Sequence, residues 1–481
     1  MMLTQNFRSM FREYDVRGRL SAEELNEASV ARIAAAFAVF LRRRNVSRIV
    51  VGYDSRECSP GFRDIAVRAF LDLGLEVFDL GLSLSPVCYF AQHYLDSPGA
   101  MMITASHNPD GWSGFKLASE KSVTLTKDDI QELLAIVESG ETVETRPGSV
   151  HVVNVRDAYI ENIVSRVKLN PENLPRVVVD AANGGAGVFA YEVLHRLGCL
   201  TFQLNCDPDT SFPRYFPNPS DVRARELLKR TLLHPYVHAD IAISFDGDGD
   251  RIGVLDENGE NIWADKLLLL LIKPLLERKP GASVVFDVKC TQAIADFLNA
   301  HGGVPVMWNT GHSYIKRKMR EVDADLGGER SGHLYLGGDL YWGFDDAIFA
   351  AAKLLEAISW EAKPISQLVA QFPAYHVSSE IAAPCADTLK YDVVERVKSE
   401  LLRRFPDCEY STINGLKLYF PEGWGLVRAS SNMPELGLVF EAKTPERLRE
   451  YYDAFRSVLD GFPEVERLWH NDYFANQTRM R

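Results

Sequence analysis

The sequence has no Cys-x-x-Cys pair, no apolar run long enough to span a bilayer and no long basic stretch, and each absence removes a class of function. The seven cysteines, Cys58, Cys88, Cys199, Cys206, Cys290, Cys385 and Cys408, are scattered and odd in number. That pattern argues against a disulfide framework or a zinc site and for a reducing cytoplasm. The apolar stretches IAAAFAVFL (33–41) and LLLLLI (267–272) fall well short of the roughly 20 residues a membrane helix needs, so both are expected in buried helices. The opening MMLTQNFRSMFREYDVRG lacks the apolar region of a secretory leader. With 53 Lys plus Arg against 66 Asp plus Glu, the net charge is −13, which makes nucleic acid and anionic membrane poor partners. Also missing is the Gly-x-Ser-x-Gly of a hydrolase nucleophile elbow.

What is present is repetition. At 481 residues the chain is too long for one hydrophobic core, and its 46% apolar and 25% charged residues are ordinary for a globular protein. One unit recurs: an apolar strand ending in Asp, a polar turn, a helix, a glycine, and another strand. It occurs at 48–81 with Asp54 and Gly74, at 176–205 with Asp180 and Gly198, and at 282–309 with Asp287 and Gly302. This order is that of a βαβ crossover, which builds a parallel sheet covered by helices. After each unit a further strand opens into a polar loop: TASHNPDG, FDGDGDR and GGERSGH. Open α/β sheets bind ligands beyond the carboxyl ends of their strands, so these loops are expected to face one cleft.

The expected fold class is therefore α/β: three topologically similar α/β domains with mixed, mainly parallel sheets, plus a smaller C-terminal α+β domain, around a central cleft. The expected domains are 1–150, 151–257, 258–370 and 371–481. The polar ESGETVETRPGSV (138–150) is taken as a linker and GVLDENGENIW (253–263) as a hairpin.

Each loop carries its own chemistry. Ser106 and His107 adjoin one another, but in an extended segment successive side chains point to opposite faces, so His107 is expected to face away from the hydroxyl. Asp246, Asp248 and Asp250 alternate; if their loop is extended the carboxylates share one side, an arrangement that suits Mg²⁺. An EF-hand is excluded: Glu257 fills its twelfth position, but Arg251 stands where that loop requires glycine. Glu329 and Ser331 suit a polyhydroxyl ligand, and Lys289 and His312 follow strand ends of the third unit. Near the C-terminus, Arg428, Ser430, Ser431 and Asn432 form a candidate phosphate cradle, FREYDVRG at the start contributes Tyr14 and Arg17, and the TASHNPDG loop runs on to Lys116.

FREYDVRG, TASHNPDGWSGFK, DGDGDR, DVKC, TGHS, GERSGH and RASSNMP, in this order over nearly the whole chain, resemble the α-D-phosphohexomutases, and within them the bacterial phosphomannomutase/phosphoglucomutase branch. The resemblance implies four domains around a cleft and a phosphoserine at Ser106 that completes the coordination of Mg²⁺ by Asp246, Asp248 and Asp250. It implies a reversible transfer between the 1- and 6-positions of mannose or glucose phosphate through a hexose 1,6-bisphosphate. Lys116, Arg17, Arg251 and His107 would serve the transfer. Lys116 or His312 would accept the proton, and the sequence does not choose between them. Glu329 and Ser331 would hold sugar hydroxyls, with Lys289, His312, His333 and Tyr14 nearby, while Arg428, Ser430, Ser431 and Asn432 would grip the other phosphate. The chain departs from the family pattern at Ser113, where asparagine is common, and in RASSNMP, where Ser431 and Asn432 stand in the places of Asn and Thr. The alternatives are a phosphoglucosamine mutase, a metal-dependent phosphatase or bisphosphate synthase, and a non-catalytic sugar-phosphate sensor. The expected partners are small hexose phosphates, in a monomer or dimer.

Overall fold

The computed structural model describes residues 4–144, 147–431 and 433–467. The three repeated units fold alike. In the first sheet Arg48–Tyr53 pairs in parallel with Glu76–Leu82 and Gly99–Ile103, and Trp112–Glu120 lies antiparallel to the last. The second repeats this with Arg176–Asp180, Leu200–Leu204, Ile241–Phe245 and antiparallel Ile252–Leu255. The third does so with Ser283–Asp287, Val304–Trp308, Leu326–Gly328 and antiparallel Leu334–Leu336. In each, the polar loop of interest is the turn between the third parallel strand and the antiparallel one.

The recurring Asp and Gly have local causes. Asp54 accepts from the Arg56 N–H at 3.1 Å and from the Ser59 hydroxyl at 2.7 Å, and Asp180 accepts from the Ala182 N–H at 2.9 Å. Each carboxylate thus closes the turn that turns strand into helix. Gly74, Gly198 and Gly302 all have left-handed φ, between 75° and 93°, as a helix C-terminus favours.

One detail differs from expectation and another agrees with it. Ser149–Val152, whose first two residues were placed in a linker, is a strand that pairs in parallel with Glu76–Leu82 at the edge of the first sheet. The expected hairpin at 253–263 does form, between Ile252–Leu255 and Asn261–Ile262. The fourth sheet is antiparallel, built on Leu416–Phe420, Gly423–Ala429 and Glu435–Ala442, with helices Lys390–Arg404 and Pro445–Leu459 packed on it.

Packing separates this last unit from the rest. One apolar cluster runs from Val50 in the first sheet through Val179 and Ile243 to Val284 and Leu326 in the third. The fourth sheet has a core of its own around Val397, Leu438 and Phe455, joined to the third unit by a small cluster of Val288, Trp424, Leu426 and Val439. The runs at 33–41 and 267–272 lie in buried helices, all seven cysteines are free, and among the described residues no helix is long and apolar enough to cross a membrane.

Candidate active site

The first two loops meet at the serine. Ser106 Oγ donates to Asp246 Oδ2 at 2.8 Å, and Ser106 is only 2% exposed. Its backbone is left-handed, with φ of 50°, and its N–H is tied to Thr104 Oγ1 at 2.8 Å. A side chain at Gly247 would approach the Ser106 carbonyl to 2.8 Å, so glycine is what lets the two loops touch.

That left-handed residue corrects the expected direction of His107. Alternation of faces holds only for extended backbone, and here the chain turns, leaving His107 Nδ1 3.1 Å from Ser106 Oγ. Proton assignment follows from the neighbours. Arg251 Nη1 lies 3.4 Å from His107 Nε2 and can only donate, so Nε2 accepts and Nδ1 carries the hydrogen. Burial, with Arg251 and Arg17 adding to it, holds His107 well below the usual imidazole range and therefore neutral. His107 thus donates to the serine oxygen and does not act as its base.

The carboxylate loop is a turn and not the extended segment expected from alternation. Asp246 Oδ1 accepts the N–H groups of Asp250 and Arg251, both at 3.1 Å, which folds the loop over its own first residue. The three carboxylates nevertheless converge: Asp246, Asp248 and Asp250 are fully buried and each offers an oxygen within 4.8 Å of the others. Lys116 Nζ lies 2.6 Å from Asp248 Oδ2 and also binds Asp250, and the Ser85 hydroxyl donates to Asp248 Oδ2 at 2.5 Å. Asp248 Oδ1 and Asp250 Oδ1 have no hydrogen-bond partner among the described residues, although His333 Nδ1 lies 3.7 Å from the latter. Burial raises Asp246 well above the ordinary carboxylate range, with Asp250 and Asp248 adding to it. Two orphaned oxygens beside a like-charged third are what a small divalent cation would satisfy. Burial would lower Lys116, but Asp248, Asp250 and Asp246 outweigh it and hold the ammonium above its ordinary range. Glu257 points elsewhere, accepting from Ser366, as expected for a loop that is no EF-hand.

The third loop joins through Arg251, whose Nε donates to His333 Nε2 at 3.0 Å while His333 Nδ1 lies 3.0 Å from Asp345 Oδ2. Asp345 in turn binds the buried Lys316 at 3.1 Å. Glu329 accepts from the Tyr335 hydroxyl at 2.6 Å and from the Gly311 N–H at 2.9 Å, which fixes the start of the helix His312–Glu321. His312 Nδ1 meets Thr124 Oγ1 at 3.2 Å, and its buried Nε2 has no partner among the described residues. Burial, helped by Lys316 and Lys116, keeps this imidazole neutral. Tyr14 packs edge-on against it at 4.9 Å between ring centres. Arg17 binds Asp15 at 2.7 Å and Asn108 at 2.5 Å, within the serine loop. Ser331 is half-buried at the loop tip.

A second group of charges lies between the third and fourth units. Lys289 and Arg428 both reach Glu380, at 3.0 and 3.5 Å. Ser430 Oγ accepts the Met433 N–H at 3.3 Å, and Lys390 Nζ binds the carbonyls of Ser430 and Met433, at 2.5 and 2.9 Å. Ser431 is half-buried, and Asn432 lies outside the described residues, as does the extension from 468 onward. Sequence reasoning missed Ser85, Asp345, Lys316, Glu380 and Lys390. Of these only Asp345 had a signal, the Asp-Asp pair ahead of the apolar helix Ala347–Glu361.

Four family models cover most of the chain: phosphoglucomutase/phosphomannomutase alpha/beta/alpha domains I, II and III match 8–144, 157–259 and 263–375, and the C-terminal domain matches 380–458. The chain is 35% identical over 452 residues to the phosphomannomutase/phosphoglucomutase of Pseudomonas aeruginosa, covering 94% of this chain and 95% of that protein. It is also 35% identical over 462 residues to the phosphoglucomutase of Neisseria gonorrhoeae, covering 95% and 98% respectively. A crystal structure of a phosphoglucomutase/phosphomannomutase family protein from Burkholderia thailandensis superposes with a TM-score of 0.87 at 33% identity, over 95% of this chain and 99% of the other.

Proposed function

The chain belongs to the phosphoglucomutase/phosphomannomutase family, and from that premise we infer that it is an isomerase moving a phosphoryl group reversibly between the 1- and 6-positions of hexose phosphates. The reading extends to mannose or glucose phosphate as substrate, Ser106 as the phosphoryl carrier and a hexose 1,6-bisphosphate as the species between two transfers. One observation carries it: Ser106 Oγ sits 2.8 Å from Asp246, at the edge of a buried carboxylate group with orphaned oxygens.

Asp246, Asp248 and Asp250, with the group borne by Ser106, would hold Mg²⁺, which when bound neutralises charge on the phosphoryl oxygens. Around it, His107 donates to the serine oxygen, and Arg251 and Arg17 add fixed positive charge. Such preorganised charge is most of what phosphoryl transfer requires. A proton acceptor for the attacking sugar hydroxyl must be uncharged with a free nitrogen. His312 meets both conditions through its unpartnered Nε2, whereas Lys116 is committed to two carboxylates, so we assign the base to His312. Glu329 and Ser331 would take sugar hydroxyls, with His333 and Tyr14 beside them. Lys289, Arg428, Ser430 and Ser431, with Asn432, would take the phosphate that does not react.

The test follows phosphorus. Purified protein with Mg²⁺ and a trace of glucose 1,6-bisphosphate should convert glucose 1-phosphate and mannose 1-phosphate to their 6-phosphates, read by ³¹P NMR, with slower conversion of glucosamine 1-phosphate. Release of inorganic phosphate without any sugar 6-phosphate would end the mutase reading in favour of a phosphatase.

A further inference from the structure

Two buried cations from different units converge on one carboxylate. Lys289 Nζ, just beyond the strand Ser283–Asp287, lies 3.0 Å from Glu380 Oε2, and Arg428 Nη2, on Gly423–Ala429, lies 3.5 Å from Glu380 Oε1. Glu380 itself immediately precedes the strand Ile381–Pro384 of the fourth sheet. The lysine and arginine side chains are 5% and 7% exposed, whereas the glutamate is 41% exposed. Arg428 is anchored from behind, with Nη1 donating to Asn414 Oδ1 at 3.4 Å and to the Ala429 carbonyl at 3.2 Å. Its Nε is buried without a partner among the described residues, a donor left over once the glutamate has been served. Gly437 leaves the space beside this pair, since a side chain there would come within 3.0 Å of Glu380 Oε1.

We propose that Glu380 is an internal stand-in for the non-reacting phosphate of the substrate: it neutralises Lys289 and Arg428 while the cleft is empty and swings out when a phosphate monoester takes them. This rests on the reading of Lys289 and Arg428 as phosphate-binding groups. Lys289 keeps a second, more distant carboxylate in Asp287, 3.9 Å away, but without Glu380 the two buried cations would still repel each other and tend to hold the fourth unit away from the third. A single carboxylate removes that repulsion with one negative charge and two acceptor oxygens. A phosphate monoester brings more negative charge and three acceptor oxygens, enough to reach the spare Nε as well, and so displaces it. Of the three groups, only the exposed glutamate has solvent to move into. The covered part of its side chain would raise its carboxyl, but Lys289 and Arg428 outweigh that and bring it down to about 2, so the stand-in is ionised wherever the enzyme works.

Binding of glucose 6-phosphate to the full-length protein, measured by calorimetry in EDTA to stop turnover, separates the possibilities. Removing a competing charge without removing a cation should tighten binding: Glu380→Gln should lower Kd about fivefold, the scale of one partly exposed ion pair. Glu380→Asp, whose shorter carboxylate reaches the cations less well, should fall between. An unchanged or raised Kd in Glu380→Gln overturns the proposal, because a residue that positions the two cations would weaken binding when lost. If Glu380→Gln does not fold by its thermal transition, Glu380→Asp decides alone, by tightening or by failing to tighten. Lys289→Ala should weaken binding; if it binds like the unaltered protein, the phosphate site falls and the proposal with it. Weakening in Lys289→Ala without tightening in Glu380→Gln removes only the stand-in.

Discussion

The cluster around Ser106 and the loop around Arg428 handle charge in opposite ways. Around Ser106 the three carboxylates are fully buried, Lys116 is nearly so, and the loops that present them belong to units sharing one continuous apolar core. Around Arg428 the cations are buried, their counter-charge is half in solvent, and the sheet that carries Arg428 has a separate core. Preorganisation of the first kind aligns a reacting group at no further cost when substrate arrives. The second kind goes with a looser attachment: few apolar contacts join the fourth unit to the third, and among the described residues one surface ion pair, Arg12 with Asp387 at 3.3 Å, joins it to the first.

The sharpest way to break this contrast is at the serine. Ser106→Ala should abolish mutase turnover, by at least about a thousandfold, with the thermal transition little changed. Intact mass should show a phosphate on the unaltered protein and none on the variant; residual turnover near the original rate would remove Ser106 from the reaction. Next in size is Asp248→Asn, which keeps a partner for Ser85 but removes one charge from the cation site. We expect kcat to fall about a hundredfold and the Mg²⁺ concentration for half-maximal activity to rise; an unchanged Mg²⁺ requirement would place the metal elsewhere. On the other side of the comparison, Arg428→Ala should act on binding, raising KM about tenfold with a smaller change in kcat. A loss carried by kcat alone would mean that the phosphate loop is as tightly coupled to the chemistry as the serine cluster.

The smallest expected effect probes the frame behind the carboxylate loop. Asp346 caps the helix Ala347–Glu361 and accepts from Tyr159 at 2.9 Å, next to Ala347, whose N–H binds the Gly249 carbonyl. Burial raises its carboxyl to about 7. A carboxyl raised on folding contributes stability at low pH that is lost as pH rises through the folded value, here from about 4 to about 7. Asn caps a helix as well as Asp, so Asp346→Asn should melt about 2–4 °C higher than the unaltered protein at pH 8, with the gap closing towards pH 5. Parallel melting curves across that range would show that the group does not titrate there.

Much of this was legible beforehand because it is written in short-range patterns. The three βαβ units follow from apolar strands ending in Asp54, Asp180 and Asp287 and from helices ending at Gly74, Gly198 and Gly302, whose roles are local turn and cap geometry. The carboxylates of Asp246, Asp248 and Asp250 converge as their spacing suggests, but by a turn and not by the extended loop that would also have placed them on one side. Asp246 folds the loop by accepting two of its own amides. His107 was misdirected for the same reason, since one left-handed residue at Ser106 reverses the alternation on which the inference stood.

Sequence alone determined the repeated architecture, the acidic balance and which loops carry reactive residues, because period, turn chemistry and composition act over a few neighbouring residues. Only the tertiary structure decided the pairings. Lys116 finds Asp248 across 132 positions, Arg251 finds His333 across 82, and Lys289 finds Glu380 across 91. Such contacts form only after the intervening chain has been ordered by its own packing, and nothing in a local pattern records which distant partner a buried charge will meet.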